Sequence, residues 1–254
     1  MQQDSAQPLG KLKIDLHLHT ADDPVDNLPL DIEATLENAA ALGFDAVAVT
    51  LHEKVYVPDA RARAASERTG VLLLPGIEAT LDHGVHVLIL GCGPEAEDIH
   101  TLEDLERFRR PEYLIMAPHP FYPGSGLAKG GLLERYAHLI DAVEWSHFYH
   151  RFVNFPNRRA AAFAARRRLP LVGTGDAHLP DQMGHTYALV EAERSVASIL
   201  QAVREGRVET VTRPLSLCHM AWILARLALR SLLPRRRRAA LPGRVARRLT
   251  AAAS

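Results

Sequence analysis

Short apolar runs recur along this chain at nearly even spacing, each followed by a longer segment of helical periodicity, and that rhythm constrains the fold more than any other feature. Lys11 to His17, Ala46 to Thr50, Val71 to Leu74, Val85 to Leu90, Tyr113 to Ala117, Ala142 to Glu144 and Pro170 to Gly173 predict strands, with Thr186 to Val190 or Arg207 to Val211 closing the series. Leu30 to Leu42, Asp59 to Arg68, Ile99 to Arg109, Leu132 to His138, Asn157 to Arg168 and Ser195 to Arg204 predict the helices between them. About seven or eight βα units around a parallel sheet fit an α/β barrel better than an open sheet. At 254 residues the chain is long enough to bury such a core.

The first run carries the chemistry. Lys13-Ile14-Asp15-Leu16-His17-Leu18-His19-Thr20 alternates with period two, which predicts Asp15, His17 and His19 on one face and Ile14, Leu16 and Leu18 on the other. Two imidazoles one strand repeat apart can grip one metal ion, and the loop Asp22-Asp23-Pro24-Val25-Asp26 offers oxygen ligands beside them. Further polar residues share a position: His52, Glu78 and His119, then Asp176 and His178, each follow an apolar run. Strand ends of this kind form the rim on which barrel enzymes build active sites. Any one of these residues, His86 included, is explained by a satisfied core histidine or a helix cap. Their convergence on one rim points instead to a metal centre.

Cysteine usage narrows the ligand type. Cys92 and Cys218 show no CxxC spacing, so neither a disulfide framework nor a thiolate zinc site is suggested, and any metal is held by His and carboxylate. A reducing compartment fits, and Met1 to Gly10 lacks the apolar core of a secretion signal, so the expectation is an intracellular, cytoplasmic protein. There is no G-x-S-x-G elbow, Walker A loop or dinucleotide G-x-G-x-x-G; Gly124-Ser125-Gly126 and Gly130-Gly131 read as loop. Lys129 and Arg151 are candidate phosphate contacts, although solvated surface roles suit them better.

Five ordered motifs resemble those of the PHP (polymerase and histidinol phosphatase) family: His17-Leu18-His19-Thr20, Thr50-Leu51-His52, Gly76-Ile77-Glu78, Pro118-His119-Pro120 and Gly175-Asp176-Ala177-His178. The resemblance covers roughly residues 11 to 212 and implies a distorted seven-stranded (β/α) TIM-like barrel holding two or three zinc, manganese or iron ions. It implies that His17, His19, Glu78 and Asp176 hold one metal, that Glu78 bridges to a second held by His86 and His119, and that His52, His178 and an acid of the loop take a third. Asp23 is the choice for that acid, with Asp22 and Asp26 open. Leu51 stands where many members carry Asp, which implies altered orientation of its neighbours rather than a lost metal. Glu144 and Asn157 resemble supporting positions. His147 and His150 have no assigned match.

The expected activity is phosphoesterase: hydrolysis of a phosphate mono- or diester, on a small phosphorylated metabolite or nucleotide, by a metal-bridged hydroxide. Three divalent ions would bring about +6 against about −3 from Glu78, Asp176 and one loop Asp, leaving a pocket that attracts phosphate. His178 or His52 would protonate the leaving group; where they bind metal the role passes to water, His147 or His150. The alternative is a membrane-peripheral or partner-binding module that uses the barrel as a metal-stabilised scaffold.

Charge divides the chain. From Arg213 to Ser254 there are ten Arg and no Asp or Glu, leaving 20 Lys plus Arg against 30 Asp plus Glu before it. The expected organisation is a flexible 1–10, a barrel over 11–212 and a basic amphipathic tail over 213–254. Leu215 to Leu233 is apolar but broken by Arg226 and Arg230, which disfavours a transmembrane helix. Two readings stand: a helix on an anionic membrane at the inner face, with Trp222 as anchor and Arg235 to Arg238, Arg244, Arg247 and Arg248 toward headgroups, through 215–248 in all; or a terminal helix packed on the barrel. Nucleic-acid binding is disfavoured, since no aromatic residues interleave the arginines.

Overall fold

The computed structural model describes residues 10–123, 125 and 131–232; Lys129 and the arginines from Arg235 to Arg248 lie outside the described residues, as do residues 1–9 of the N-terminal segment. Among the described residues there are nine strands: β1 (Lys11–Leu18), β2 (Ala46–His52), β3 (Leu72–Leu81), β4 (Val85–Leu90), β5 (Leu114–Ala117), β6 (Ala142–Ser146), β7 (Leu171–Thr174), β8 (Thr186–Glu191) and β9 (Val208–Thr212). The helices are α1 (Ile32–Ala41), α2 (Ala60–Thr69), α3 (Leu102–Phe108), α4 (Leu132–Arg135), α5 (Phe155–Arg167), α6 (Val196–Arg204) and α7 (Leu217–Ser231). Their starts are written in the sequence: Asp31, Asp59, Ser195 and Ser216 each accept a backbone N–H of the first turn, and Thr101 with Asp104 forms a capping box.

One sheet in the order β7-β6-β5-β4-β3-β2-β1-β8-β9 curls into a nearly closed α/β barrel. The expected all-parallel arrangement is only half right. β1-β2, β2-β3, β5-β6 and β6-β7 are parallel, whereas β3-β4, β4-β5, β1-β8 and β8-β9 are antiparallel. For β4 the cause is local: only a three-residue turn at Asp82–Gly84 separates it from β3, too short for the crossover that parallel pairing needs. Both alternatives for the last strand are realised, as the antiparallel pair β8 and β9.

An apolar plug fills the barrel. Ile14, Leu16, Leu74, Leu88, Met116 and Val172 meet there, and Ile199 and Val203 of α6 seal its lower end. Outside the wall, α1 and α2 cover Val47, Val49 and Leu51, while α3 and α5 cover β3 to β6. Closure is made by side chains rather than by a ladder. Thr210 Oγ1 donates to the Leu171 carbonyl at 2.8 Å, bringing β9 against β7. At Gly173 a Cβ would stand 2.7 Å from Tyr187 O and 2.8 Å from Thr210 Cγ2, so no larger residue fits this seam. Gly173→Ala is expected to cost about 1–3 kcal/mol by overpacking, read as a melting temperature lowered by several degrees; an unchanged melting curve would show that the seam is not under constraint.

Candidate metal centre

The mouth of the barrel owes its geometry to a bulge in β1. The register with β2 shifts between Asp15 and Leu18, so the simple two-residue alternation fails at the chemically important point. Ile14 and Leu16 belong to the plug inside the barrel, but Leu18 packs outside it with Leu36 and Val49. His17 and His19 are thereby brought over the plug, which is the re-aiming that bulges perform. Asp15 holds the bulge: its carboxylate accepts from His17 N at 3.2 Å and from Gly175 N at 3.0 Å. Burial pushes its carboxyl up to about 7, against the pull of those backbone donors. A Cβ on Gly175 would stand 2.4 Å from Asp15 Oδ2, so this contact needs glycine.

Glu78 sits at the centre. It was expected in a loop after a strand ending at Leu74, but β3 continues through Pro75 and Gly76 and carries it in register beside His52. Its Oε2 lies 3.2 Å from His17 Nε2, 3.3 Å from His19 Nε2 and 3.3 Å from His52 Nε2. Its Oε1 lies 2.9 Å from His86 Nδ1 and 3.1 Å from His119 Nε2. Asp176 Oδ1 approaches His17 Nε2 at 3.4 Å and His19 Nε2 at 3.5 Å. Asp176 and His119 both have positive φ, 41° and 27°, a strain that clusters where side chains must be aimed.

A second layer orients the rings. Glu144 of β6 accepts from His17 Nδ1 at 2.7 Å, and its Oε1 is buried without a partner among the described residues. Asp23 accepts from Nδ1 of both His19 and His52 at 3.0 Å, and its other oxygen takes the Val25 and Asp26 N–H groups. Asp26 reaches His178 Nε2 at 3.1 Å and His52 Nδ1 at 3.8 Å, whereas Asp22 joins none of these groupings. Asn157 ties down the backbone of Ser146 through both its amide atoms.

His147 is placed unlike the proton donor expected of it. It is 1% exposed, accepts from Gln182 Nε2 at 3.1 Å, and burial pushes its imidazole down to about 3, so it stays neutral and shut away. The same Gln182 accepts from the backbone N–H of His178 and Leu179, which makes it a support of the His178 loop. His150 pairs its backbone with Val153, and the Arg151 guanidinium lies over Phe152. Leu51 packs in the helix-side cluster with Val49 and Tyr56.

Charge decides what such a site demands. At an effective dielectric constant of about 20, two like charges ~4 Å apart repel by about 4 kcal/mol, so carboxylates crowded in this way need cations among them. Without metal the cations are protons. Burial opposes it, yet Asp176, Glu144 and Glu78 hold His17 well above the usual imidazole range, and hydrogen bonds to Asp176, Asp23 and Glu78 do the same for His19. Burial would likewise raise Glu78 and Asp176, but His17 and its neighbours keep both well below the usual carboxylate range. The donor set fits divalent ions. Four overlapping groups have donor atoms within 4.8 Å: His17, His19 and Asp176; His17, Glu78 and His119; His19, His52 and His178; Asp23, Asp26 and His52. Imidazole and carboxylate together suit zinc, manganese or iron.

Comparison with known proteins gives the same picture of the fold. Residues 154–208 match the PHP-associated family. A two-domain protein from Bacteroides vulgatus containing a predicted PHP-like metal-dependent phosphoesterase superposes with a TM-score of 0.65 over 89% of this chain and 74% of that one, at 18% identity. In fold, this barrel is like that PHP-like protein. Other neighbours in fold are PsfC from Pseudomonas syringae, with a TM-score of 0.60 at 20% identity over 89% of this chain and all of that one, and the lesion-specific endonuclease from Pyrococcus furiosus, 0.59 at 15% over 84% and 66%. No curated protein matches the sequence.

Since the surrounding carboxylates favour the protonated forms of His17 and His19 in the metal-free chain, an incoming cation competes with protons for them. Zinc or manganese uptake is therefore expected to release protons and to tighten as pH rises toward the raised range of these imidazoles, above that of a free histidine. Calorimetry in buffers of different ionisation enthalpy measures this; affinity that ignores pH, with no proton release, would contradict it. Glu144→Gln is expected to weaken metal binding by about 10–100-fold with the fold intact by circular dichroism, because the His17 ring loses its anchor.

Proposed function

We propose that the chain is a metal-dependent phosphoesterase that hydrolyses a phosphate mono- or diester, on a small phosphorylated metabolite or nucleotide, at a centre of two or three divalent ions. The observation that carries this reading is Glu78, whose two oxygens face separate sets of imidazoles. His17, His19, Glu78 and Asp176 hold one ion in this reading, Glu78, His86 and His119 a second, and His52, His178 and an acid of the 22–26 loop a third; Asp26, 3.1 Å from His178 Nε2, is better placed for it than Asp23, whose oxygens already serve His19, His52 and backbone N–H groups. Bound there, such ions lower the pKa of water and take up charge on the phosphoryl oxygens.

The chain's own residues have distinct tasks. Glu144 and Asp23 keep protons on the Nδ1 atoms of His17, His19 and His52, so the Nε2 lone pairs face inward. His178 stands at the rim, 16% exposed, with Nδ1 turned to the Asp176 carbonyl; there it is a ligand or, with that place unfilled, the donor of a proton to the leaving oxygen. His147 serves through Gln182 as a support of that loop. The Bacteroides protein and the Pyrococcus endonuclease, one PHP-like and the other acting on DNA lesions, support a phosphoric-ester substrate. A scaffold without turnover is disfavoured by the layout. The floor of His17, His19 and Glu78 is sealed, while His52, His119, His178 and Asp176 open onto solvent as substrate access requires.

Turnover of an aryl phosphate and of a bis-aryl phosphodiester with Mn²⁺ or Zn²⁺ tests the proposal. His17→Ala and Asp176→Asn are expected to lose at least about 100-fold in kcat/KM, more than an orienting residue would. Equal activity in the parent and both variants would overturn it.

A further inference from the structure

Helix α7 is apolar on both of its faces. Its inner face seats Met220, Ile223 and Leu227 on Leu179 and Leu215. Its polar groups are spent along the flanks: His219 Nε2 lies 2.7 Å from Asp181 Oδ2, Arg230 Nη1 donates to the Asn27 carbonyl at 3.2 Å, and the Arg226 guanidinium stacks on Trp222. The face left to solvent carries Leu217, Trp222, Leu224, Leu229 and Leu232, 43–80% exposed, with Cys218, Ala221 and Ala225 exposed between them. A helix lying on its own domain ordinarily turns polar residues outward, so this face is built for a second apolar medium.

The sequence that follows says which one. Pro234 to Ser254 holds seven arginines, at 235–238, 244, 247 and 248, and no acidic residue. Seven positive charges directly after an apolar helix face complement an anionic lipid surface, which offers negative headgroups above a hydrocarbon interior. Nucleic acid would use the arginines but leave the leucines exposed. Among the described residues no helix is long and apolar enough to cross a membrane. We propose that the outer face of α7 is a docking surface for anionic lipid bilayers, the helix lying in the plane of the interface and the arginines of the following sequence supplying the charge that selects an anionic one.

The helix also touches the loops of the barrel mouth. Asp181 lies in the turn Pro180–Gln182 beside His178, and Asn27 follows the acidic loop of Asp23 and Asp26. Docking therefore holds that mouth beside the bilayer surface, whatever the chemistry at the metal centre.

Co-sedimentation with vesicles tests the surface independently of turnover. The full chain is expected to bind phosphatidylcholine vesicles containing phosphatidylglycerol and not phosphatidylcholine alone. Leu224→Glu with Leu229→Glu, and separately R235Q/R236Q/R237Q/R238Q, are each expected to weaken binding about tenfold or more, with melting temperature and aryl phosphate turnover unchanged. The proposal is overturned if the parent fails to bind or does not distinguish the two vesicles, or if the double glutamate variant binds as the parent does. It is equally overturned if the parent is a dimer without vesicle affinity that this variant converts to monomers.

Discussion

Glu78 is surrounded by five imidazoles, and the arrangement of the barrel mouth depends on that crowding. A buried carboxylate alone would take up a proton; here histidines from β1, β2, β4 and the loop after β5 keep it ionised, and Asp176 adds a second charge against the same rings. Neither partner is stable in the interior without the other. A mixed-charge cluster of this density gains little for folding that an apolar core would not supply better. Its presence at the top of a barrel whose lower half is plain hydrocarbon marks the place where the fold gives up stability for function.

The fold holds the cluster by anchoring its unfavourable parts to rigid ones. Asp15 locks the bulge of β1 to Gly175, so the strand that carries His17 and leads into His19 and the loop carrying Asp176 are fixed by one contact across 160 positions. Gln182 couples the His178 loop to His147, and α7 packs over that loop from outside. The same elements that close the barrel thus set the distances among the donor atoms.

Much of this was legible in the residues. Strand and helix positions follow from periodicity and from caps such as Asp31 and Thr101, and the groups brought together at the mouth include His17, His19, His52, Glu78, His119, Asp176 and His178, with His86 beside Glu78. Three features were not. Antiparallel β4 was hidden because an apolar run does not record its direction, and the shortness of the 82–84 turn was the available signal. The bulge was hidden because strict alternation in Ile14 to His19 predicts a regular strand, and only the tertiary contact of Asp15 with Gly175 breaks it. His147 was a candidate proton donor alongside water and His150, and residue type alone carries no record of its burial.

The central claim is that the residues around Glu78 form a cage for divalent cations. Anomalous diffraction from a crystal of the purified protein, with its metal content measured on the same material, tests it most directly. The account predicts peaks about 2.0–2.2 Å from the donor atoms, one shared by His17, His19 and Asp176 and another by His86 and His119, with a Glu78 oxygen on each. A fully folded protein in which no cation touches more than two of these groups would contradict it.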